Sequence, residues 1–203
     1  MIFDNQGNLY GTTYQGGASG DGTVFKLTPI SRGGWRYKQI YSFKGGSDGV
    51  RPYGGVVVSP TGIVYGTTWL GGIGTNQCFS NFPGCGTVFE LSPNADGSYT
   101  HTVIYTFLGP PTDGGAPQGL ILDPNGNLFG TTQFAGAFGG GTVFELALLG
   151  SGVGRKPSFT ASARVNDGAL IISQPIMDSS GNIYGTTYSG GANGVGTVFE
   201  VTP

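Results

Sequence analysis

The sequence predicts an all-β protein, a β-propeller of about four blades built from antiparallel strands. A short motif, aromatic-Gly-Thr-Thr, occurs four times, starting at Tyr10, Tyr65, Phe129 and Tyr184, and the copies are 55, 64 and 55 residues apart. A period of this size is typical of repeat architectures. Glycine and proline contribute 41 and 12 of the 203 residues, and the glycines recur at the same place in each copy, as turns require. No stretch shows the pattern of an amphipathic helix, and each interior glycine would cost a helix about 1 kcal/mol relative to alanine.

A second motif follows the first in every copy and predicts the next strand. It reads Gly-Thr-Val-Phe, then Glu or Lys, then Leu or Val, and it starts at Gly22, Gly86, Gly141 and Gly196. Valine and phenylalanine suit a pleated surface. With one strand before the first motif and one after the second, each unit has four short antiparallel strands.

The strands and units can be placed along the chain from these motifs. The units cover about 1–45, 46–110, 111–165 and 166–203. In chain order the expected strands are 2–4, 9–13, 22–27, 35–43, 55–58, 63–69, 86–91, 101–107, 119–122, 128–133, 141–146, 158–164, 175–177, 183–188 and 196–201.

The first two strands of a unit are expected to be joined by a tight turn. Asp-Pro-Asn-Gly at 123–126 fits a type I turn, with Asp first, Pro second and Gly fourth. Asp4 and Asp178 stand at the same place in the first and fourth copies, and Ser59 in the second. We expect these side chains to cap their turns.

The strand pattern leaves the closure of the assembly open. Sheets that are apolar on both sides need neighbours on both sides, and propellers with four to eight blades satisfy this need. A linear β-solenoid is less consistent with so long a unit. The last unit has no fourth strand and no strand precedes Met1 to supply it. The chain is therefore either a four-bladed ring with one three-stranded blade, or part of a larger assembly such as a longer array or an eight-bladed dimer.

Composition excludes several classes of function. The net charge is −2, only 10% of the residues are charged, and no basic block is present, so nucleic acid is not an expected partner. No apolar run approaches the roughly 20 residues of a membrane span. A repeat starts directly after Met1, so no signal peptide is visible. The glycine-rich loops lack the Gly-Lys-Ser/Thr ending that binds phosphate.

The two cysteines, Cys78 and Cys85, lie in the one loop that is nine residues longer than its counterparts. We expect a disulfide, which would stabilise the fold by roughly 2–3 kcal/mol and indicate an oxidising compartment. Free thiols are the alternative. Between the cysteines, Phe79 and Phe82 are candidates for an exposed binding loop.

Aspartate-glycine pairs recur before the first strand of three units, at Asp48, Asp113 and Asp167. They could form a ring of carboxylates for calcium, but Asp-Gly is also ordinary turn chemistry, and no segment has the dense acidic pattern of a calcium loop. Two cysteines and one histidine are too few for a structural zinc site. No metal and no cofactor are expected.

The remaining ionisable residues do not suggest catalysis. Glu90, Glu145 and Glu200 share one place in the repeat, but Lys26 occupies it in the first copy, which indicates a solvated position. His101, the only histidine, starts a strand and is interpreted as structural. The chain is not expected to be an enzyme.

Aromatic and hydroxyl side chains at the end of the second strand are the best binding candidates. They would form a ring on one face that could hold a sugar or a peptide, although packing between blades would explain them too. The candidates are Thr13, Tyr14, Thr68, Trp69, Phe134 (beside Gln133), Thr187 and Tyr188.

The paired motifs, Gly-Asn-Leu-Tyr-Gly-Thr-Thr at 7–13 and Gly-Thr-Val-Phe-Glu-Leu at 86–91, resemble the Gloeo/Verruco tandem repeat, also called the choice-of-anchor GloVer repeat. The segment 122–129 also resembles the general NHL propeller repeat. The resemblance implies an exported, surface-anchored protein, although this chain shows neither a signal peptide nor an anchor.

The leading hypothesis is a non-enzymatic extracellular module that binds a carbohydrate or a protein, alone, as a homodimer or in a larger array. A structural segment of a larger surface protein, and a propeller-scaffold hydrolase or lyase, are the alternatives.

Overall fold

The computed structural model describes residues 1–72, 78, 84–111, 113–148, 155–164 and 168–202, and at 148 and 155–164 it describes the backbone alone. The described residues form sixteen strands in four sheets, and all pairing between these strands is antiparallel. The only helical element among them is a 3-10 turn at Gly46–Asp48. The all-β class predicted from the sequence is therefore confirmed.

Each sheet is formed by strands that are consecutive in the chain. Sheet 1 contains β1 (Ile2–Phe3), β2 (Leu9–Thr13), β3 (Thr23–Pro29) and β4 (Trp35–Ser42). Sheet 2 contains β5 (Val56–Val58), β6 (Val64–Thr68), β7 (Thr87–Pro93) and β8 (Tyr99–Thr106). Sheet 3 contains β9 (Gly114–Leu122), β10 (Leu128–Ala135), β11 (Gly139–Leu148) and β12 (Arg155–Arg164). Sheet 4 contains β13 (Ala169–Ile171), β14 (Ile176–Met177), β15 (Ile183–Ser189) and β16 (Val198–Val201).

Sheet 4 differs from the others in its first strand. Both β13 and β14 pair with β15, through Ala169 with Ser189 and Ile176 with Tyr184. In sheet 3 the single strand β9 pairs along the whole of β10. Together β13 and β14 therefore occupy the place of β9, and within the described residues no strand pairs with the outer edge of β16.

The turns between the first two strands are capped as the sequence predicts. Asp4 accepts hydrogen bonds from the Asn8 backbone N–H (2.8 Å) and from Asn8 Nδ2 (2.7 Å). Asp123 and Asp178 do the same with the asparagines four residues further on. In the second copy Ser59 Oγ accepts from the Ile63 N–H at 3.0 Å. These carboxylates thus serve the turns.

The glycine of the first motif makes room for the phenylalanine of the second. The two lie opposite each other in the register of every sheet, for example Gly66 and Phe89. A Cβ built on Gly66 would lie 2.5 Å from Phe89 Cζ, which is too close for any side chain. The two motifs recur together because one provides the space that the other fills.

Successive sheets pack face to face, and the two faces of a sheet differ. We call the face that carries the first threonine and the valine of the motifs the leading face, and the face that carries the glycine and phenylalanine the trailing face. The leading face of sheet 1 (Tyr10, Val24) packs on the trailing face of sheet 2 (Val64, Phe89). The leading face of sheet 2 packs in the same way on sheet 3.

The first threonine of each motif also links neighbouring sheets. Thr12 Oγ1 donates to the Gly54 carbonyl at 3.0 Å, and Thr131 Oγ1 donates to the Ser173 carbonyl at 2.9 Å. Thr67 lies 3.5 Å from the Pro117 carbonyl in the equivalent arrangement. The sheets are therefore held in sequence by buried apolar surface and by one recurring hydrogen bond. In the part of the chain that the structure describes, no helix combines the length and apolar character needed to cross a membrane.

His101 fills part of the contact between sheets 1 and 2. Its ring stacks on Tyr41 at 4.2 Å, and Nδ1 lies 3.2 Å from Asp48 Oδ1. Its Nε2 is buried without a hydrogen-bond partner among the described residues. Burial lowers the pKa of His101 more than the nearby Asp48 carboxylate raises it. This environment is consistent with a structural histidine.

We expect His101→Phe to remove a pH dependence of stability. The unfolded histidine binds a proton below its usual pKa of about 6.5, whereas the folded one resists protonation, so stability should fall as the pH drops below about 6.5. Phenylalanine retains the stacking and cannot titrate. Urea unfolding of the wild type and the variant at neutral and mildly acidic pH would measure this difference in stability. The chain has no other histidine that could titrate in place of His101. An unchanged pH dependence in the variant would contradict the assignment.

Candidate functional site

A cavity of about 320 Å³ lies where the four sheets converge. Side chains from all four sheets, or from the segments that lead into them, line it. They are Tyr14, Tyr53, Trp69, Gln118, Gln133 and Ile172.

Three of the lining residues share one place in the repeat. Tyr14, Trp69 and Gln133 each follow directly after a Thr-Thr pair, at the end of the second strand of their sheet. Because the sheets repeat the same register, this position returns to the same end of each sheet. Two of the three are aromatic, and both were candidates from the sequence.

The other three share a second place, in or near the first strand of sheets 2, 3 and 4. Tyr53, Gln118 and Ile172 each stand two positions after a non-glycine residue with positive φ. Those residues are Arg51 (58°), Ala116 (55°) and Leu170 (59°). Side chains other than glycine rarely adopt this left-handed conformation, and such residues often cluster at functional sites.

Polar groups in the cavity are connected through Gln133. Trp69 Nε1 donates a hydrogen bond to Gln133 Oε1 at 3.2 Å. Gln118 Nε2 donates to the Ala116 carbonyl at 2.9 Å and lies 3.4 Å from Gln133 Oε1. The indole and the two amides are thus held in fixed orientations.

Two tyrosine rings form an aromatic wall of the cavity. The rings of Tyr14 and Tyr53 meet edge to face, with their centroids 6.1 Å apart. The guanidinium carbon of Arg51 lies 5.3 Å from the centre of the Tyr14 ring, a cation–π arrangement. This wall therefore combines apolar ring faces with a nearby positive charge.

The structure places the candidate threonines between strands. The hydroxyls of Thr13, Thr68 and Thr187 pair with those of the facing threonines in the next strand, at 2.8, 2.7 and 2.9 Å. The same hydroxyls accept the backbone N–H of those facing residues, at 2.9 to 3.2 Å. Their hydrogen-bonding capacity is thus used within the sheet.

The remaining sequence candidates lie away from the lining. Phe134 is opposite Gly115 in the register, at the place that Leu70 occupies in sheet 2, so Gln133 is the counterpart of Trp69. Tyr188 is exposed on sheet 4. The sequence argument did not include Tyr53, Gln118 and Ile172. A usable signal was present for two of them, because Arg51-Pro52-Tyr53 and Ala116-Pro117-Gln118 both place a variable residue after a proline.

The recurring aspartates have structural partners. Asp48 accepts the Tyr41 hydroxyl and Asp113 the Tyr105 hydroxyl, each at 2.6 Å. Burial, together with the carboxylate, raises the pKa of both tyrosines, and burial also raises the pKa of Asp113. Asp167 lies outside the described residues. Within the described part of the chain no three His, Cys, Asp or Glu side chains come together as a metal site would require.

Cys78 and Cys85 are joined by a disulfide, with their Cα atoms 5.2 Å apart. Cys85 is buried in the contact between sheets 2 and 3. The aromatic candidates of this loop, Phe79 and Phe82, lie outside the described residues.

Comparison with known proteins identifies a repeat family and a fold. The family model described as the Gloeobacter/Verrucomicrobia repeat matches residues 73–203. No curated protein sequence matches the chain. A crystal structure described as a candidate gluconolactonase, a propeller, superposes with a TM-score of 0.53 at 16% identity, over 99% of this chain and 62% of the other. A protein of unknown function from Dyadobacter fermentans DSM 18053 gives 0.47 at 12% identity, over 82% of this chain and 51% of its own.

The similarity to the first of these structures indicates a propeller-like fold for this chain. At 16% identity the similarity supports the fold alone. This chain spans 62% of the length of that structure.

Proposed function

The chain belongs to the Gloeobacter/Verrucomicrobia repeat family, and we propose that it is a non-enzymatic module that binds carbohydrate in the cavity between its sheets. The observation that carries this proposal is the convergence of Tyr14, Tyr53 and Trp69 with Gln118 and Gln133 in one cavity. Its volume of about 320 Å³ is at the lower end of the range for small-molecule sites, about 300–1,000 Å³.

The chemistry of the lining suits a sugar. The C–H face of a pyranose ring is apolar and can lie on an aromatic ring, while its hydroxyls need hydrogen-bond donors and acceptors at the edge. Trp69 and the tyrosines provide the ring faces, and the amides of Gln118 and Gln133 provide groups that both donate and accept. A protein or peptide ligand with an aromatic or proline side chain is the alternative for the same surface.

The proposed extracellular location is supported by the Cys78–Cys85 disulfide, because disulfides persist in oxidising compartments. A purely structural role in a larger surface protein is the second candidate, and it is favoured if no ligand binds.

The propeller-scaffold enzyme remains a third candidate. The described lining consists of aromatic, amide and aliphatic side chains and contributes no carboxylate to the cavity. A lactone such as glucono-δ-lactone would be a suitable test substrate, because its hydrolysis yields an acid and can be measured by the release of protons. A hydrolysis rate that depends on Trp69 or Gln133 would support the enzyme.

We expect Trp69→Ala to weaken sugar binding strongly. Loss of one stacked ring removes its buried area and about 0.5–1.5 kcal/mol of aromatic interaction beyond that, so the affinity should fall about tenfold or more. An array of mono- and oligosaccharides would identify a ligand, and calorimetric titration would give its affinity for both proteins.

Trp35, the other tryptophan, lies in β4 away from the cavity and provides the control. Trp35→Ala should bind as the wild type does. If the two variants lose affinity equally, or if the wild type binds no sugar on the array, the cavity is not a carbohydrate site.

A further inference from the structure

One valine position shows that no sheet in the described part of the chain covers the leading face of sheet 4. Val24, Val88 and Val143 occupy the same place on the leading faces of sheets 1 to 3 and are at most 2% exposed. Val198 occupies that place on sheet 4 and is 77% exposed. Three equivalent copies are covered by the next sheet, and the fourth is open.

A second residue on the leading face of sheet 4 is exposed in the same way. Ile176 pairs with Tyr184 as Val57 pairs with Tyr65, so the two residues are equivalent. Val57 is 5% exposed, whereas Ile176 is 66% exposed. The leading face of sheet 4 therefore presents two large apolar side chains where the earlier sheets bury theirs.

The opposite end of the array is open in the complementary way. Phe89 and Phe144 on the trailing faces of sheets 2 and 3 are fully buried. Phe25, their counterpart on sheet 1, is only half-buried, against the exposed ring of Tyr37 at 5.9 Å. Phe3 is also exposed on this sheet. Sheet 1 thus has an uncovered trailing face.

We propose that these two open faces bind each other between two copies of this chain, with sheet 1 of one copy packed on sheet 4 of the other. A second copy of the chain offers the complementary surface. A leading face packs on a trailing face at both core clusters, and sheet 1 carries the trailing face that the described structure leaves uncovered. The same contact, made twice about a two-fold axis, closes a ring of eight sheets, within the range known for propellers.

This interface is independent of the carbohydrate proposal, because neither Val198 nor Tyr37 lines the cavity. The interface would also remove from water the apolar faces that a single chain leaves exposed. An exposed apolar face of this kind otherwise marks a site of association or aggregation.

The test is the solution mass, measured by light scattering during size exclusion across a dilution series. We expect a species of twice 20.8 kDa. Val198→Asp should shift it to a single chain, because a charge at the centre of the packed face would be buried without a partner. Val195→Asp is the matched control, since Val195 is 81% exposed but lies in the glycine loop outside β16. It should leave the mass unchanged.

A second pair of variants separates head-to-tail packing from packing of two identical faces. Tyr37→Lys should also give single chains. A mixture of the Val198→Asp and Tyr37→Lys chains should restore the dimer, because one of the two interfaces in the mixed pair is native and carries neither substitution. Circular dichroism of each variant would show that it is folded.

Several outcomes would overturn the proposal. A wild type that remains at 20.8 kDa at high concentration would mean that no second copy covers the open faces. They would then be covered by each other within one chain, or by further repeats. A larger species whose mass is unaffected by Val198→Asp would place the contact elsewhere. Failure of the mixed variants to associate would exclude the head-to-tail arrangement.

Discussion

Replacing Phe89 with alanine is expected to lower the free energy of unfolding by about 3–5 kcal/mol, the usual cost of removing a fully buried phenylalanine. The ring is completely buried and meets Phe43, which directly follows β4, edge to face at 5.1 Å. It also covers Gly66, which has no side chain to fill the space left behind. The substitution therefore opens a cavity at the contact between sheets 1 and 2.

Urea unfolding followed by circular dichroism would measure this loss. Phe25→Ala is the matched control, because Phe25 has the same place in sheet 1 and is only half-buried. We expect a clearly smaller loss there, with both substitutions made in the Val198→Asp background so that association does not contribute. Equal losses would show that stability does not follow the described burial.

Replacing Thr68 with valine is expected to cost about 2–4 kcal/mol, since each buried polar group left without a partner costs about 1–3 kcal/mol. Thr68 is fully buried, and its hydroxyl bonds the Thr87 hydroxyl, the Thr87 N–H and the Leu70 carbonyl. Valine keeps the shape of threonine, so the loss would report the hydrogen bonds.

The control for Thr68→Val is Thr13→Val. Thr13 makes the same pair with Thr23 but is only half-buried, so water can replace part of what is lost. The smaller effect should appear in thermal unfolding, while the affinity for any sugar found should be unchanged in both variants. A selective loss of affinity would instead assign these hydroxyls to the ligand.

The repeated motifs predicted most of the strands because each motif residue has a backbone task. Gly66 leaves room for the Phe89 ring, and Asp123 caps and fixes the turn before β10. Strand β9 was predicted to begin at 119 but begins at Gly114. The run Gly114-Gly115-Ala116-Pro117 has the composition of a turn, and its pairing with β10 depends on contacts that local sequence does not encode.

The candidate site was only partly predictable for a related reason. Tyr14 and Trp69 could be found because they adjoin a motif. Tyr53 and Gln118 depend on a left-handed backbone at Arg51 and Ala116, and neither arginine nor alanine is a residue type that indicates this conformation. Their convergence on one cavity follows from the arrangement of the sheets.

The division of labour within the repeat has an evolutionary consequence. Residues that fix the fold, such as Gly66, Thr68 and Phe89, have identical counterparts in the other three copies, whereas the residue after Thr-Thr is tyrosine, tryptophan, glutamine or tyrosine, and the first three of these line the cavity. Each copy of the unit therefore keeps the same scaffold, while the residue after its Thr-Thr pair is free to vary. A lineage of such proteins could acquire new ligands by point changes at these positions, with no redesign of the strands that carry them.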